Sequence, residues 1–247
     1  MTFADLITPF TLLDASAVGL LLLCWIACTL MIENAPAARP STSNLMAQYR
    51  REWMLVFVTR DPRIFDSQIV TSLRQGTAFF ASASMIAIGG GMALLGNAEL
   101  VSGLAKDLTQ AAAPDVVWEI KLIVMLGFAT NAFLKFVWSH RLFGYCSVLM
   151  AAVPNDPDHP SAEPRAMKAA AINIAGARSY NRGLRSVYFG IAATAWLAGG
   201  WALIVAVVFT LGVILRREFA SQSRRVLLDV CDDNLRTPAQ ADVTSTN

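Results

Sequence analysis

The chain has 247 residues, 55% of them hydrophobic and 15% charged, with a mean hydropathy of +0.48. A soluble fold of this length has too little interior to hide that much apolar surface, so the composition points to a membrane protein. A formal net charge of +2 excludes whole-molecule attraction to nucleic acid, and only the placement of charge along the chain is informative.

Four apolar stretches, residues 10–32, 76–96, 116–137 and 187–215, are each long enough to cross a bilayer core as a helix. The first is followed by Ala35-Pro36-Ala37, which mimics a signal-peptide cleavage site. The segment before it has no Lys or Arg, however, and Asp5 and Asp14 stand where positive charge belongs, so a retained anchor is expected. Cys24 and Cys28 share a face of this span and, with no third ligand nearby, read as small buried hydrophobes. From 44 to 58, Leu45, Tyr49, Trp53 and Phe57 recur at helical spacing while Arg50, Arg51 and Glu52 point elsewhere, the pattern of an amphipathic helix. Asp61-Pro62 has the form of a helix start, a capping carboxylate and then proline at the first helical position. The second span is therefore expected to begin as a cytoplasmic stalk.

The run Gly89-Gly90-Gly91 lacks the Lys-Ser/Thr end of a phosphate loop and the preceding strand of a dinucleotide site. With Ala83, Ala87 and Gly91 spaced four apart, it reads as a small-residue stripe for close helix packing, within the bundle or against a partner chain. Pro114 opens and Pro154 closes a third helix on the order of 60 Å long, with Gly144 as a place to bend. Lys121, Phe128, Asn131 and Lys135 share one face of it. Ionisable residues inside a span are functional candidates, and Asp14, Glu119 and Lys121 fall at a similar depth in the outer leaflet, where they can pair. The alternative buries that face or lets the lysines snorkel to the head groups. Residues 154–164 are too rich in proline for a helix and read as a linker. Between 166 and 185 a small-residue face opposes Arg178, Arg182 and Arg185. Gly190, Thr194 and Ala198 form another small stripe on the fourth span, which Gly199-Gly200 loosen, and beyond Asp232 the tail reads as disordered.

Between the first two spans lie Arg39, Arg50, Arg51, Arg60, Arg63 and Arg74, and between the last two lie Arg141, Arg165, Lys168, Arg178, Arg182 and Arg185. The N-terminus has no Lys or Arg and the 97–114 loop has only Lys106, so both long loops are expected in the cytoplasm and the N-terminus outside. Four spans also put the tail outside, against its Arg216, Arg217, Arg224, Arg225 and Arg236. The expected fold is all-α: one four-span membrane domain over 1–225, a helical cytoplasmic layer of 33–75 and 139–185, and a mostly disordered tail at 226–247.

Arg51, Arg63, Asp66, Lys135, Arg141 and Arg185 fall on the cytoplasmic side. As a binding site they would take an anionic head group or a small anion; as structure they would knit helices together, with Asp66 accepting from more than one arginine. His140 at the membrane boundary and His159 in the linker cannot supply paired axial ligands, and no metal site, catalytic set or cofactor site is expected.

The series Arg51-Glu52-Trp53-Met54, Arg63-Ile64-Phe65-Asp66, Phe79-Phe80-Ala81-Ser82, Lys135-Phe136-Val137-Trp138-Ser139-His140-Arg141, Tyr180-Asn181-Arg182-Gly183-Leu184-Arg185 with Tyr188-Phe189 and Trp196, and Arg217-Glu218-Phe219-Ala220-Ser221 resembles a family of bacterial inner-membrane proteins catalogued only as a domain of unknown function. The likeness covers roughly 15–225 and implies a four-span inner-membrane protein without supplying an activity. The leading expectation is an accessory or scaffold protein, embedded in the lipid bilayer and packed with a larger membrane assembly or a second copy of itself. A small-solute or ion transporter using the polar face of the third span, and a membrane enzyme acting on a lipid-like substrate, are the alternatives.

Overall fold

The computed structural model describes residues 10–97, 103 and 114–229, and every regular element among them is helical. In chain order these are α1 (Leu12–Glu33), α2 (Thr42–Thr59), α3 (Ile64–Leu95), α4 (Asp115–Ala151), α5 (Ala162–Thr194), a 3-10 turn (Ala195–Ala198), α6 (Gly200–Phe219) and the short α7 (Gln222–Leu228). Helices α1, α3 and α4 are long and apolar enough to cross a membrane. Lys106, Cys231, Arg236 and most of the tail lie outside the described residues.

The antiparallel pair α4 and α5 forms the spine. Polar contacts run along its length, with α5 numbers falling as α4 numbers rise. Lys121 Nζ donates to Trp196 O at 3.0 Å, Asn131 to the Ser186 hydroxyl at 2.6 Å, Ser179 to Lys135 O at 2.8 Å, and Ser139 to Gly176 O at 2.7 Å. Between these contacts, three glycines seven residues apart on α5 receive phenylalanines from α4. A Cβ at Gly176 would stand 3.0 Å from Phe143, at Gly183 2.7 Å from Phe136, and at Gly190 3.1 Å from Phe128. Without side chains at these points the two backbones approach closely enough for the rings to fill the gap.

Helix α1 opens with a capping box, in which the Thr11 hydroxyl accepts from Asp14 N at 3.2 Å and the Asp14 carboxylate from Thr11 N at 3.1 Å. It buries Ala17, Leu21, Cys24, Cys28 and Ile32 against Phe189, Leu203, Val207 and Ile214, so both cysteines are packed hydrophobes. Helix α2 lies across the far end, where Met54, Phe57, Val70, Phe143, Cys146, Ala166, Ala169 and Ala170 make a second core.

Three expectations require correction. Residues 187–215 do not form one helix: α5 continues unbroken from the amphipathic segment to Thr194, and the chain reverses at Gly199, whose φ of 116° is a conformation that favours glycine. The direction of α6 follows from its ends. Gly200 sits against Leu13 at the start of α1, whereas Glu218 accepts from Ser43 N at 3.1 Å and Arg224 donates to Pro40 O at 2.9 Å, both beyond the end of α1. Helix α6 therefore runs parallel to α1 and back along α5. Second, Asp61-Pro62 does not cap α3: it is a cis bond in a turn, and the helix starts at Ile64 with Arg63 at the cap. Third, Pro164 belongs to the first turn of α5, where its missing N–H has no intrahelical partner to lose, so the linker ends at Ser161. Gly144 does not interrupt α4, which runs 37 residues.

Candidate functional site

Where α1 ends and α2 begins, α3, α5 and α6 leave a cavity of about 510 Å³ whose charged walls carry Arg50, Arg178, Arg185 and Arg217 against Glu33 and Glu218. Glu33, the last residue of α1, is saturated. It accepts from Arg182 Nε at 2.8 Å and from Arg185 Nη2 at 2.6 Å, and a second Arg182 nitrogen completes a forked pair. Arg185, its side chain 5% exposed, also donates to the Thr29 hydroxyl at 3.2 Å. Glu218 takes both the amide and the hydroxyl of Ser43, at 3.1 and 3.0 Å, and Arg217 is held by the Tyr188 hydroxyl at 2.7 Å.

Arg50 stands apart. Its guanidinium donates to the side-chain oxygen of Asn173, a fully buried residue whose amide nitrogen is in turn 3.5 Å from Cys146 Sγ. Among the described residues no carboxylate comes within 4.0 Å of it. Half-burial pulls its pKa below the usual arginine value. A guanidinium fixed by one bond, with donors to spare at a cavity wall, is suited to a carboxylate or phosphate. The helical spacing placed Arg50 on the outer face of α2. The signal that it turns inward is Asn173, the lone amide on the small-residue face of α5.

The other candidates do not converge on this cavity. Asp66 is fully buried and accepts from Trp53 Nε1 at 2.6 Å and from Arg60; its second oxygen meets no partner. Arg63 stacks 4.5 Å over Phe57 and donates to the carbonyls of Val58, Val153 and Pro154 at 3.1, 2.9 and 2.8 Å, tying the ends of α2 and α4 together. Arg51 is exposed beside a notch on α5, and Arg141 is exposed and donates to Tyr145 at 2.9 Å. Lys135 lies with Trp25 and Arg182 in a separate groove between α1 and α4. Of the small-residue stripe, Gly91 packs on Leu126, while Ala83 and Ala87 are exposed.

At the opposite end, Asp14 and Lys121 are brought together through Trp196, whose indole donates to Asp14 at 2.8 Å and whose carbonyl accepts from Lys121. The Lys121 ammonium also lies 4.6 Å from the Trp118 ring and 5.5 Å from the Trp196 ring. Glu119 is half-buried on the same turn of α4. Asn131 is spent on Ser186, so the polar face of α4 acts as a seam with α5. No curated protein and no solved structure matches the chain. The match that exists is to a family model covering residues 16–223, and the chain belongs to that family, DUF599, described as a protein of unknown function.

Proposed function

We propose that this is a multi-pass protein of the bacterial inner membrane that crosses five times and binds an anionic ligand in the cavity at the cytoplasmic ends of its spans. The crossing count rests on the reversal at Gly199. With α5 rising and α6 descending beside α1, Arg216, Arg217, Arg224 and Arg225 join the two long basic loops on one side. Of the Lys and Arg between and beyond the crossings, only Lys106 is left opposite, as the positive-inside rule favours. Helix α5 can cross with little grease of its own because α1, α4 and α6 surround it. Phe189, Ala192, Ala193 and Trp196 are buried, and Arg185 meets Glu33 rather than lipid.

The observation that carries ligand binding is Arg50, a half-buried guanidinium at a cavity wall, held by buried Asn173 and with no carboxylate partner among the described residues. The test is calorimetric titration of the detergent-purified protein with inorganic phosphate, citrate and glycerol 3-phosphate. Saturable binding of at least one, abolished in Arg50→Gln while the melting profile persists, is expected. Binding by none of the three, or binding unchanged in Arg50→Gln, overturns the proposal. A solute path along α4 finds no support, since its polar face is packed against α5. Association with a second membrane protein or copy has one supporting feature: past its first turns α3 packs mainly on α4 and leaves Phe79, Met85, Ile86 and Met92 facing outward.

A further inference from the structure

The groove between α1 and α4, distinct from the cavity of Arg50, has a volume of about 250 Å³ and combines Lys135, Arg182 and Asn131 with Trp25, Ile26 and Leu30. We propose that it binds the phosphate of an anionic phospholipid of the inner leaflet, with an acyl chain lying along α1.

Depth is the first argument. Lys135 ends the apolar stretch of α4, and Arg182 reaches Glu33, the last residue of α1, so both cations lie where the head groups of the cytoplasmic leaflet begin. Charge is the second. Lys135 is half-buried, and among the described residues its ammonium meets no hydrogen-bond acceptor or carboxylate, although its backbone carbonyl is taken by Ser179. Arg182 is 42% exposed and commits its Nε and Nη2 to Glu33, which leaves donors on its outer edge. The nearby carboxylate is already shared by two arginines, so nothing in the groove offsets Lys135.

The third argument is the wall below the cations. Ile26 is 52% and Leu30 56% exposed, and Trp25 stands edge-on to Phe128 at 5.2 Å, forming an apolar strip that descends from the basic mouth toward the membrane interior. A soluble anion would satisfy the cations and leave that strip uncovered, whereas a diacyl phosphate ester covers both. Basic pockets between spans on the cytoplasmic side are the usual setting for such lipids.

The proposal rests on the membrane placement above and is independent of the Arg50 cavity. The full chain is reconstituted in an equal mixture of phosphatidylglycerol, phosphatidylethanolamine and phosphatidylcholine, extracted in neutral detergent and weighed by native mass spectrometry. Retained phosphatidylglycerol should exceed the other two, fall about fivefold in Lys135→Gln, and persist in Lys135→Arg and in Arg141→Gln. Equal retention of all three lipids, or a preference unchanged in Lys135→Gln, overturns the proposal. If Lys135→Gln does not fold, fluorescence decides. Brominated phosphatidylglycerol should quench the wild-type protein more than brominated phosphatidylcholine, and the excess should vanish in Trp25→Phe; equal quenching by both lipids refutes the site.

Discussion

The seam between α4 and α5 predicts that one added methyl group at Gly183 destabilises the protein. A Cβ there would stand 2.7, 2.9 and 2.9 Å from three atoms of the Phe136 ring, where ordinary contacts are 3.4 Å or more. The ring cannot swing aside, because Phe80 and Tyr180 hold it at centroid distances of 5.3 and 5.5 Å and the residue is fully buried. Overpacking of this kind costs about 1–3 kcal/mol. Replacing glycine by alanine in a helix interior returns up to about 1 kcal/mol of propensity, so the reference is Gly127→Ala on α4, which gains the same propensity and meets nothing within 4 Å. Unfolding in mixed micelles should show Gly183→Ala less stable than Gly127→Ala by about 1–3 kcal/mol, with Gly176→Ala between them because its Cβ clears Phe143 by 3.0 Å. Equal stability of Gly183→Ala and Gly127→Ala would show that the seam is loose and refute the reasoning.

A reporter enzyme fused after Leu228 should be active only in its cytoplasmic form; activity of the periplasmic form would restore an even number of crossings. Glu33→Gln should lower stability by about 3–5 kcal/mol, because it strands Arg185, whose side chain is 5% exposed. An unchanged denaturation midpoint would mean that Arg185 finds another partner. Lys121→Met keeps the aliphatic stem between the two tryptophans but loses the bond to Trp196 O, and is expected to cost about 1.5–3 kcal/mol in the same unfolding assay. A variant as stable as the parent would assign the contact no structural role.

Hydropathy located α1, α3 and α4 because each presents an apolar surface, and the helices flanking them followed from the spacing of residues such as Leu45 and Phe57 and from Pro114. The fourth span was misread for a physical reason. A helix enclosed by protein is under no pressure to be greasy, so α5 enters the bundle through Arg182 and Arg185, and the apolar run that follows mixes its last turns with the whole of α6. The arginines after residue 215 were the audible objection, and Gly199-Gly200 marked the place. The pairing of glycines 176, 183 and 190 with phenylalanines lies across two helices, and nothing in either helix alone reveals its partner. For the same reason, residues grouped as one polar layer separate into a clamp at Arg63, a buried acceptor at Asp66 and a cavity wall at Arg185 once the packing is fixed.

The enclosed α5 has a consequence for biogenesis. At the translocon a segment is judged by its own apolarity, so a short apolar run led by arginines is a weak candidate. With Arg182 and Arg185 ahead of a short apolar run, α5 is a poor solitary entrant, while the rich run of α6 follows after a single reversal. On the proposed five-crossing topology the two are therefore suited to enter the bilayer together as a hairpin, with α6 recruiting α5, and a ribosome stalled before residue 200 would leave α5 without the helix that carries it in.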